Sequence, residues 1–221
     1  MKEIDNMKEN KVLEDLLQRY PQLSSQKENI LKAFETLKGC FEKGGKLLVA
    51  GNGGSSADAE HIVGELMKGF KLKRELNDSF KKELLSIDPV RGKELAEKLQ
   101  QGLPAISLIN HQGLNTAFIN DVENGGLLTF AQQVNCYGKK GDVLLAISTS
   151  GNSKNVGYAC VCAKAKGMKV IGLSGANGGY LNEISDVLIK APSDEVYVIQ
   201  ELHLPIYHSI CLMLEEYFFG K

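Results

Sequence analysis

The chain has 221 residues, 43% of them hydrophobic, which suits one domain with a full core and excludes a disordered or staple-dependent class. Lys and Arg number 26 against 27 Asp and Glu, a net charge of −1, so no nucleic-acid-binding surface is expected. No apolar run approaches the ~20 residues of a membrane span, and the opening MKEIDNMKENK has no apolar stretch, so a cytoplasmic location is expected.

In chain order, residues 8–20 read as a helix with Val12, Leu13, Leu16, Leu17 and Tyr20 on one side and Pro21 as its stop. Ser25 and Glu28 have capping-box spacing, and Ile30, Phe34, Leu37 and Phe41 follow at helical intervals up to Gly44-Gly45. These two helices form an arm, residues 1–45, that packs on its own subunit or a neighbour. Apolar strands are expected at 46–51, 104–109, 142–148, 168–174 and 186–191, with helices over about 55–69, 126–137, 153–166 and 196–218. Strands that are apolar throughout and alternate with helices predict an α/β fold with a parallel sheet covered on both faces. Residues 71–103 are highly charged and interrupt the alternation. Asp88-Pro89 reads there as an N-cap with Pro at N1, Leu95 and Leu99 share a face, and Gly102 is the expected stop of an inserted helix or helical pair. Cys160-x-Cys162 has neither a CxxC nor an extracellular spacing, and the five cysteines read as reduced thiols.

Two loops have the composition of ligand sites. Ser148-Thr149-Ser150-Gly151-Asn152-Ser153 joins a strand to a helix, so hydroxyls, backbone N–H groups and a helix N-terminus converge where a phosphate dianion is best held. It lacks the Lys of a nucleotide-binding P-loop, which points to a sugar phosphate; a serine-rich turn with an N-cap has the same composition. Gly51-Asn52-Gly53-Gly54-Ser55-Ser56 also follows a strand, as a close approach of backbone to ligand or as a tight turn. On the next helix His61 and Glu65 are four apart and face the same way. Gln200 and His208 lie on the last helix, about 80° from aligned, with Pro205 between them as a bend. Two nitrogens and two oxygens of this kind suit Zn²⁺, and Glu65 and His208 suit proton transfer. Glu201 and His203 are neighbours that spacing alone does not exclude, and His111 reads as polar loop.

Four segments in this order, GNGGSSADAEHIVGEL, INDVENGG, GDVLLAISTSGNSKNV and IQELHLPIYHSICLMLEE, resemble the sugar isomerase (SIS) domain of phosphoheptose isomerases. The likeness covers nearly the whole chain outside residues 71–103. It implies a single SIS domain over 1–221, a three-layer α/β/α sandwich with a five-stranded parallel sheet, and the helical arm. It implies a homotetramer with active sites at subunit interfaces, and isomerisation of D-sedoheptulose 7-phosphate to D-glycero-D-manno-heptose 7-phosphate for heptose-containing surface glycans such as lipopolysaccharide or capsule. The family's motifs fall on Asn52, Gly53, Gly54 and Ser55 in one substrate loop, on Asn120 and Asp121 as a second contact, and on Ser148, Thr149, Ser150 and Ser153 in the phosphate loop. They put one Zn²⁺ per subunit on His61, Glu65, Gln200 and His208, with Gln200 also touching substrate and Glu65 and His208 as the acid–base pair. The insertion, and Val196 and Tyr197 where many relatives are more polar, depart from the pattern. An SIS isomerase of another sugar phosphate is one alternative; a non-catalytic SIS regulator of a protein partner is another, although such relatives lack the Glu and the final His that this chain keeps.

Overall fold

The computed structural model describes residues 11–220. The chain enters through α1 (Lys11–Arg19), a 3₁₀ segment (Pro21–Gln26) and α2 (Lys27–Glu42). The helix expected over 8–20 is therefore seen from Lys11, residues 8–10 lying outside the described part. Leu13, Leu16, Leu23, Ile30 and Phe34 are buried in this chain's own core, so the described part of the arm is a layer of its own subunit. The expected capping box at Ser25 does not form. The 3₁₀ segment runs straight into α2, the Lys27 N–H donates to the Ser24 carbonyl, and backbone replaces the side-chain cap.

The remaining elements are β1 (Leu47–Ala50), α3 (Gly54–Met67), α4 (Asp78–Ile87), α5 (Pro89–Lys98), β2 (Ala105–Ser107), α6 (Gln112–Asp121), α7 (Gly125–Tyr137), β3 (Val143–Ile147), α8 (Lys154–Ala165), β4 (Lys169–Ser174), α9 (Leu181–Ile184), β5 (Val187–Lys190) and α10 (Val196–Phe219). All five expected strands form one sheet of order β2-β1-β3-β4-β5, parallel throughout. Leu47, Val49, Leu145 and Leu173 point to one face, where they join α1, α2, α3 and α10. Leu48, Ala50, Leu144 and Val170 point to the other, under α7 and α8. This period of two, apolar at every step, is what a sheet buried on both sides requires. Buried Asp142 ties the sheet's near end together by accepting from the Lys46 and Lys139 N–H groups and pairing with the Lys46 ammonium. Cys160 is packed in the second core, where burial lifts its thiol to about 12.

Residues 71–103 contain the expected helical pair, but not all of them leave the body. The Gln101 N–H donates to the Arg74 carbonyl at 2.8 Å, the Leu103 N–H donates to the Leu66 carbonyl at 2.9 Å, and Glu75 bridges Gln100. The excursion proper is α4 and α5, capped by Asn77 and Asp88. It ends at Lys98, before Gly102, because Gly102 is packed on the Met67 backbone. Leu95 and Leu99 are exposed, so their shared face is not a core face in the single chain. Pro205 does not end α10, which runs unbroken through it. Among the described residues no helix is long and apolar enough to cross a membrane.

Candidate active site

In the sheet β1 and β3 are neighbours, yet α3 after β1 packs on one face and α8 after β3 on the other. A crevice opens outside the C-terminal ends of strands at such a switch point. Both glycine- and serine-rich loops lie there. Gly53 adopts φ +54° and Gly151 φ +68°, left-handed turns that glycine makes without strain. Ser148 is buried, its Oγ 2.9 Å from the Ser153 Oγ, and Ser150 Oγ accepts from the Asn152 N–H. Neither Gly53 nor Ser153 makes a side-chain cap on the helix it precedes; in the first turn of α8 the Val156 N–H donates to Asn155 Oδ1 at 3.0 Å, and the helix N-terminus opens toward the crevice.

A cleft of about 280 Å³ lies here, lined among others by Asn52, Gly53, Ser56, Asn115 and Asn155. Asn52 and Asn155 exchange two amide hydrogen bonds across it, at 2.9 and 2.8 Å. Of the residues expected to touch substrate, Asn52 and Gly53 line this cleft, Ser55 is buried behind it, and Gly54 faces Gln200. Asn120 and Asp121 end α6 and bond each other; Asn115 and Ile119 of the same helix line the cleft. Asn155 and Asn115 were not singled out from the sequence, and Ser56 only as part of the glycine loop. Only Asn155 carried a signal, as the first-turn residue that ends the run SGNSKN.

The second cluster is built by α3 and α10 running side by side in the same direction. Gln200 packs on Gly54, Tyr207 meets Asp58 and His61, His208 meets His61, and Glu215 reaches the loop after α3. His61 Nε2 is 3.3 Å from Glu65 Oε1 and 3.5 Å from His208 Nε2, the two rings standing nearly perpendicular. The Glu65 side chain is 13% exposed, and its second oxygen pairs with Lys68 at 3.1 Å. The Phe70 ring lies against His208 at 5.2 Å. Burial, then the neighbouring His61, push the His208 imidazole below its usual range, partly offset by Glu65, so it is neutral near pH 7. His203 is elsewhere, buried with Nε2 donating to the Ser174 carbonyl, which removes it as a candidate ligand. His111 contacts Tyr137 Oη at 3.3 Å.

One chain thus gathers His61, Glu65 and His208 but not Gln200, whose partner Gly54 precedes His61 by seven residues, about 10 Å along the helix. Tyr207, missed in the sequence, donates to Asp58 Oδ1 at 3.2 Å and is 3.0 Å from His61 Nδ1. With the phenol donating to Asp58, its oxygen can accept from Nδ1–H of His61, the tautomer that turns the Nε2 lone pair toward Glu65; a ring carrying its proton on Nε2 donates to that carboxylate instead. Separations of 3.3 and 3.5 Å match the edge of about 3.4 Å for a tetrahedron with ~2.1 Å bonds to zinc. Among the described residues no three His, Cys, Asp or Glu side chains converge as a closed metal site.

A family model described as SIS domain matches residues 11–83 and 90–175. A phosphoheptose isomerase 2 of Campylobacter jejuni is 41% identical over 189 residues, covering 86% of this chain and 80% of that protein. A phosphoheptose isomerase of Helicobacter pylori strain P12 is 36% identical over 221 residues, covering 95% of this chain and all of that protein. Among solved structures, a phosphoheptose isomerase from Francisella tularensis superposes with a TM-score of 0.73 at 31% identity, covering 98% of this chain and 100% of that one. The phosphoheptose isomerase GmhA from Neisseria gonorrhoeae superposes at 0.70 and 30% identity, covering 92% and 93%.

Proposed function

The chain belongs to the phosphoheptose isomerases of the SIS-domain family, and from that premise we propose that it interconverts D-sedoheptulose 7-phosphate and D-glycero-D-manno-heptose 7-phosphate through an enediol, with Glu65 and His208 moving the protons. It is a sugar-phosphate isomerase, and the alternative of a non-catalytic regulator is not favoured. The carrying observation is the meeting of Glu65 and His208 around His61, on two helices locked side by side.

The steps follow from the groups. The Ser148–Ser153 loop and the α8 amides hold the phosphate. The Glu65 carboxylate takes a proton from C1 of the ketose, the C1–H electrons form the C1=C2 bond, and the carbonyl electrons go to O2, which accepts a proton from His208. A neutral imidazole is a competent donor to a carbonyl oxygen. His208 then takes the proton of O1 as C1=O forms, and Glu65 returns its proton to C2. No proton is gained or lost overall. Glu65 has a second carboxylate oxygen and His208 a second ring nitrogen, so each can also face a cation. We propose Zn²⁺ on His61, Glu65 and His208; when bound it supplies Lewis-acid polarisation of the sugar carbonyl. Gln200, against Gly54, is placed for the substrate loop instead.

Glu65 lies eleven residues beyond Gly54, about 16 Å along α3. An extended seven-carbon sugar phosphate is shorter, which supports a reading in which the acid–base pair of one subunit serves the glycine loop of another, in the homotetramer the family resemblance implies. A cytoplasmic role in supplying heptose for surface glycans is part of the same proposal.

The test is conversion of sedoheptulose 7-phosphate followed by NMR in D2O, with Glu65→Gln beside the parent protein. Loss of a general acid–base group is expected to slow turnover by about 10²–10⁴-fold, with exchange of the C1 proton lost in parallel. A folded Glu65→Gln variant with the parent rate would remove Glu65 from the chemistry.

A further inference from the structure

Outside the acid–base cluster, one buried pair touches both helices that carry it. Arg74 and Glu215 have side chains 0% and 1% exposed and pair at 2.9 Å. The Arg74 guanidinium donates to the Leu66 carbonyl at 2.7 Å and to the carbonyl of Glu65 itself at 3.1 Å. These are carbonyls of the last turn of α3, which no intrahelical N–H can reach, so the side chain acts as the cap of that helix. Glu215, on α10 two turns beyond His208, accepts from the backbone N–H groups of Phe70, Lys71 and Leu72 at 2.7, 2.8 and 3.1 Å. Phe70 is the ring that lies against His208.

The pair therefore fixes three things at once: the backbone of Glu65, the distance between α3 and α10, and the aromatic wall of His208. Every polar atom in it that the bonds above account for is spent on this end of α3. Its bonds all lie at the C-terminal end of α3, away from the glycine loop at the other end of that helix. Nothing in the residue pattern marks it, because an Arg at the start of a charged stretch reads as a solvated residue.

We propose that Arg74, held by Glu215, is a positioning residue for the acid–base pair: it sets where Glu65 stands relative to His208 without touching the sugar. This deepens the isomerase reading and rests on it for its kinetic test. A displacement of about 1 Å in a catalytic group can cost on the order of 10²-fold in rate, so the role should appear in kcat and not in substrate affinity.

Arg74→Lys is the informative variant. It keeps the positive charge beside Glu215, so the fold is retained, but an ammonium cannot serve two carbonyls and a carboxylate in the planar fork that Arg provides. Glu215→Gln is its counterpart on α10. Both would be compared with the parent chain in thermal unfolding, in kcat and KM for sedoheptulose 7-phosphate, and in the ¹⁵N and ¹H ring resonances of His61 and His208. The expected result is a kcat at least tenfold lower in each, KM within about twofold of the parent value, and displaced ring resonances of His208 at temperatures where the protein is fully folded. The proposal is overturned by a folded variant with parent kcat and parent ring resonances. It is equally overturned if kcat, KM and melting temperature fall together, which marks the pair as structural only. The ring resonances need no substrate, so they test the positioning even if the parent protein fails to turn over this sugar, an outcome that would instead sink the assignment of activity.

Discussion

The Tyr207 hydroxyl lies 3.0 Å from Nδ1 of His61 and 3.2 Å from a carboxylate oxygen of Asp58, so one phenol bridges a carboxylate and the imidazole at the centre of the site. Asp58 precedes His61 by three residues on α3 and therefore shares its face, while Tyr207 reaches in from α10. Burial raises the Asp58 carboxyl above its ordinary range, with Tyr207 and His61 pulling the other way. Burial also pushes the Tyr207 phenol up, so it remains a protonated donor at neutral pH.

This bridge predicts the behaviour of Tyr207→Phe. In the zinc reading proposed above, the phenol selects the His61 tautomer whose Nε2 lone pair faces Glu65 and His208. Outer partners of a metal-ligating His are typically worth 10- to 100-fold in metal affinity. Tyr207→Phe should therefore bind zinc on the order of 10–100-fold more weakly while keeping its fold, because the ring still fills the space beneath His61. Zinc titration against a competing chromophoric chelator measures this directly. Parent affinity in the variant would show that Tyr207 does not orient His61.

Asn155 yields a second prediction. Its amide and that of Asn52 satisfy each other across the cleft, joining the loop after β1 to the first turn of α8. Removing Asn155 leaves the Asn52 side chain free to turn away. Asn155→Ala should raise KM for the sugar phosphate roughly fivefold, the loss of about 1 kcal/mol expected of a hydrogen bond that no longer holds its partner in place. Asn155→Asp should raise it further, because a carboxylate then faces an anion. Asn155 is half-buried at the cleft edge, outside both cores, so the melting temperature should stay within a few degrees of the parent value. The kinetic constants across the three proteins decide it; equal KM values would separate Asn155 from substrate binding.

What the sequence revealed and what it hid follow from the same physics. The five strands were legible because a sheet covered on both faces needs apolar residues at every position, and LLVA and VLLAI have them. The loops were legible because only Gly tolerates the turns at 53 and 151. His61 and Glu65 were legible as an i,i+4 pair. α6 was not, since none of its residues is buried and its apolar side chains have no single core face to mark it. Arg74 and Glu215 were hidden because a buried ion pair is written in two distant charged residues, each of which looks like surface. Tyr207 was hidden in the same way, since an aromatic residue on a long apolar helix reads as core until its hydroxyl finds Asp58. That Gln200 meets Gly54 could not be read, because helix spacing fixes angles on one helix and says nothing of which turn of a neighbouring helix it meets.

The last prediction concerns stability and pH. His203 is fully buried, its Nε2 donates to the Ser174 carbonyl at the end of β4, and its Nδ1 has no partner among the described residues. Burial holds this imidazole down at about 4 against an ordinary value of 6.5. Between those two values the unfolded chain binds a proton at this residue that the folded chain does not. The stabilisation is therefore complete above pH 6.5 and is lost as pH falls toward 4. By pH 5 the loss from this one group should be about 2 kcal/mol relative to pH 7.5. Urea unfolding at the two pH values measures it, in the parent chain and in His203→Leu. The variant is expected to be less stable at pH 7.5, since the Ser174 carbonyl loses its donor, yet its stability should fall by about 2 kcal/mol less on acidification. Equal falls in the two proteins would mean that His203 takes up no proton on unfolding, and that the acid sensitivity of this fold has another source.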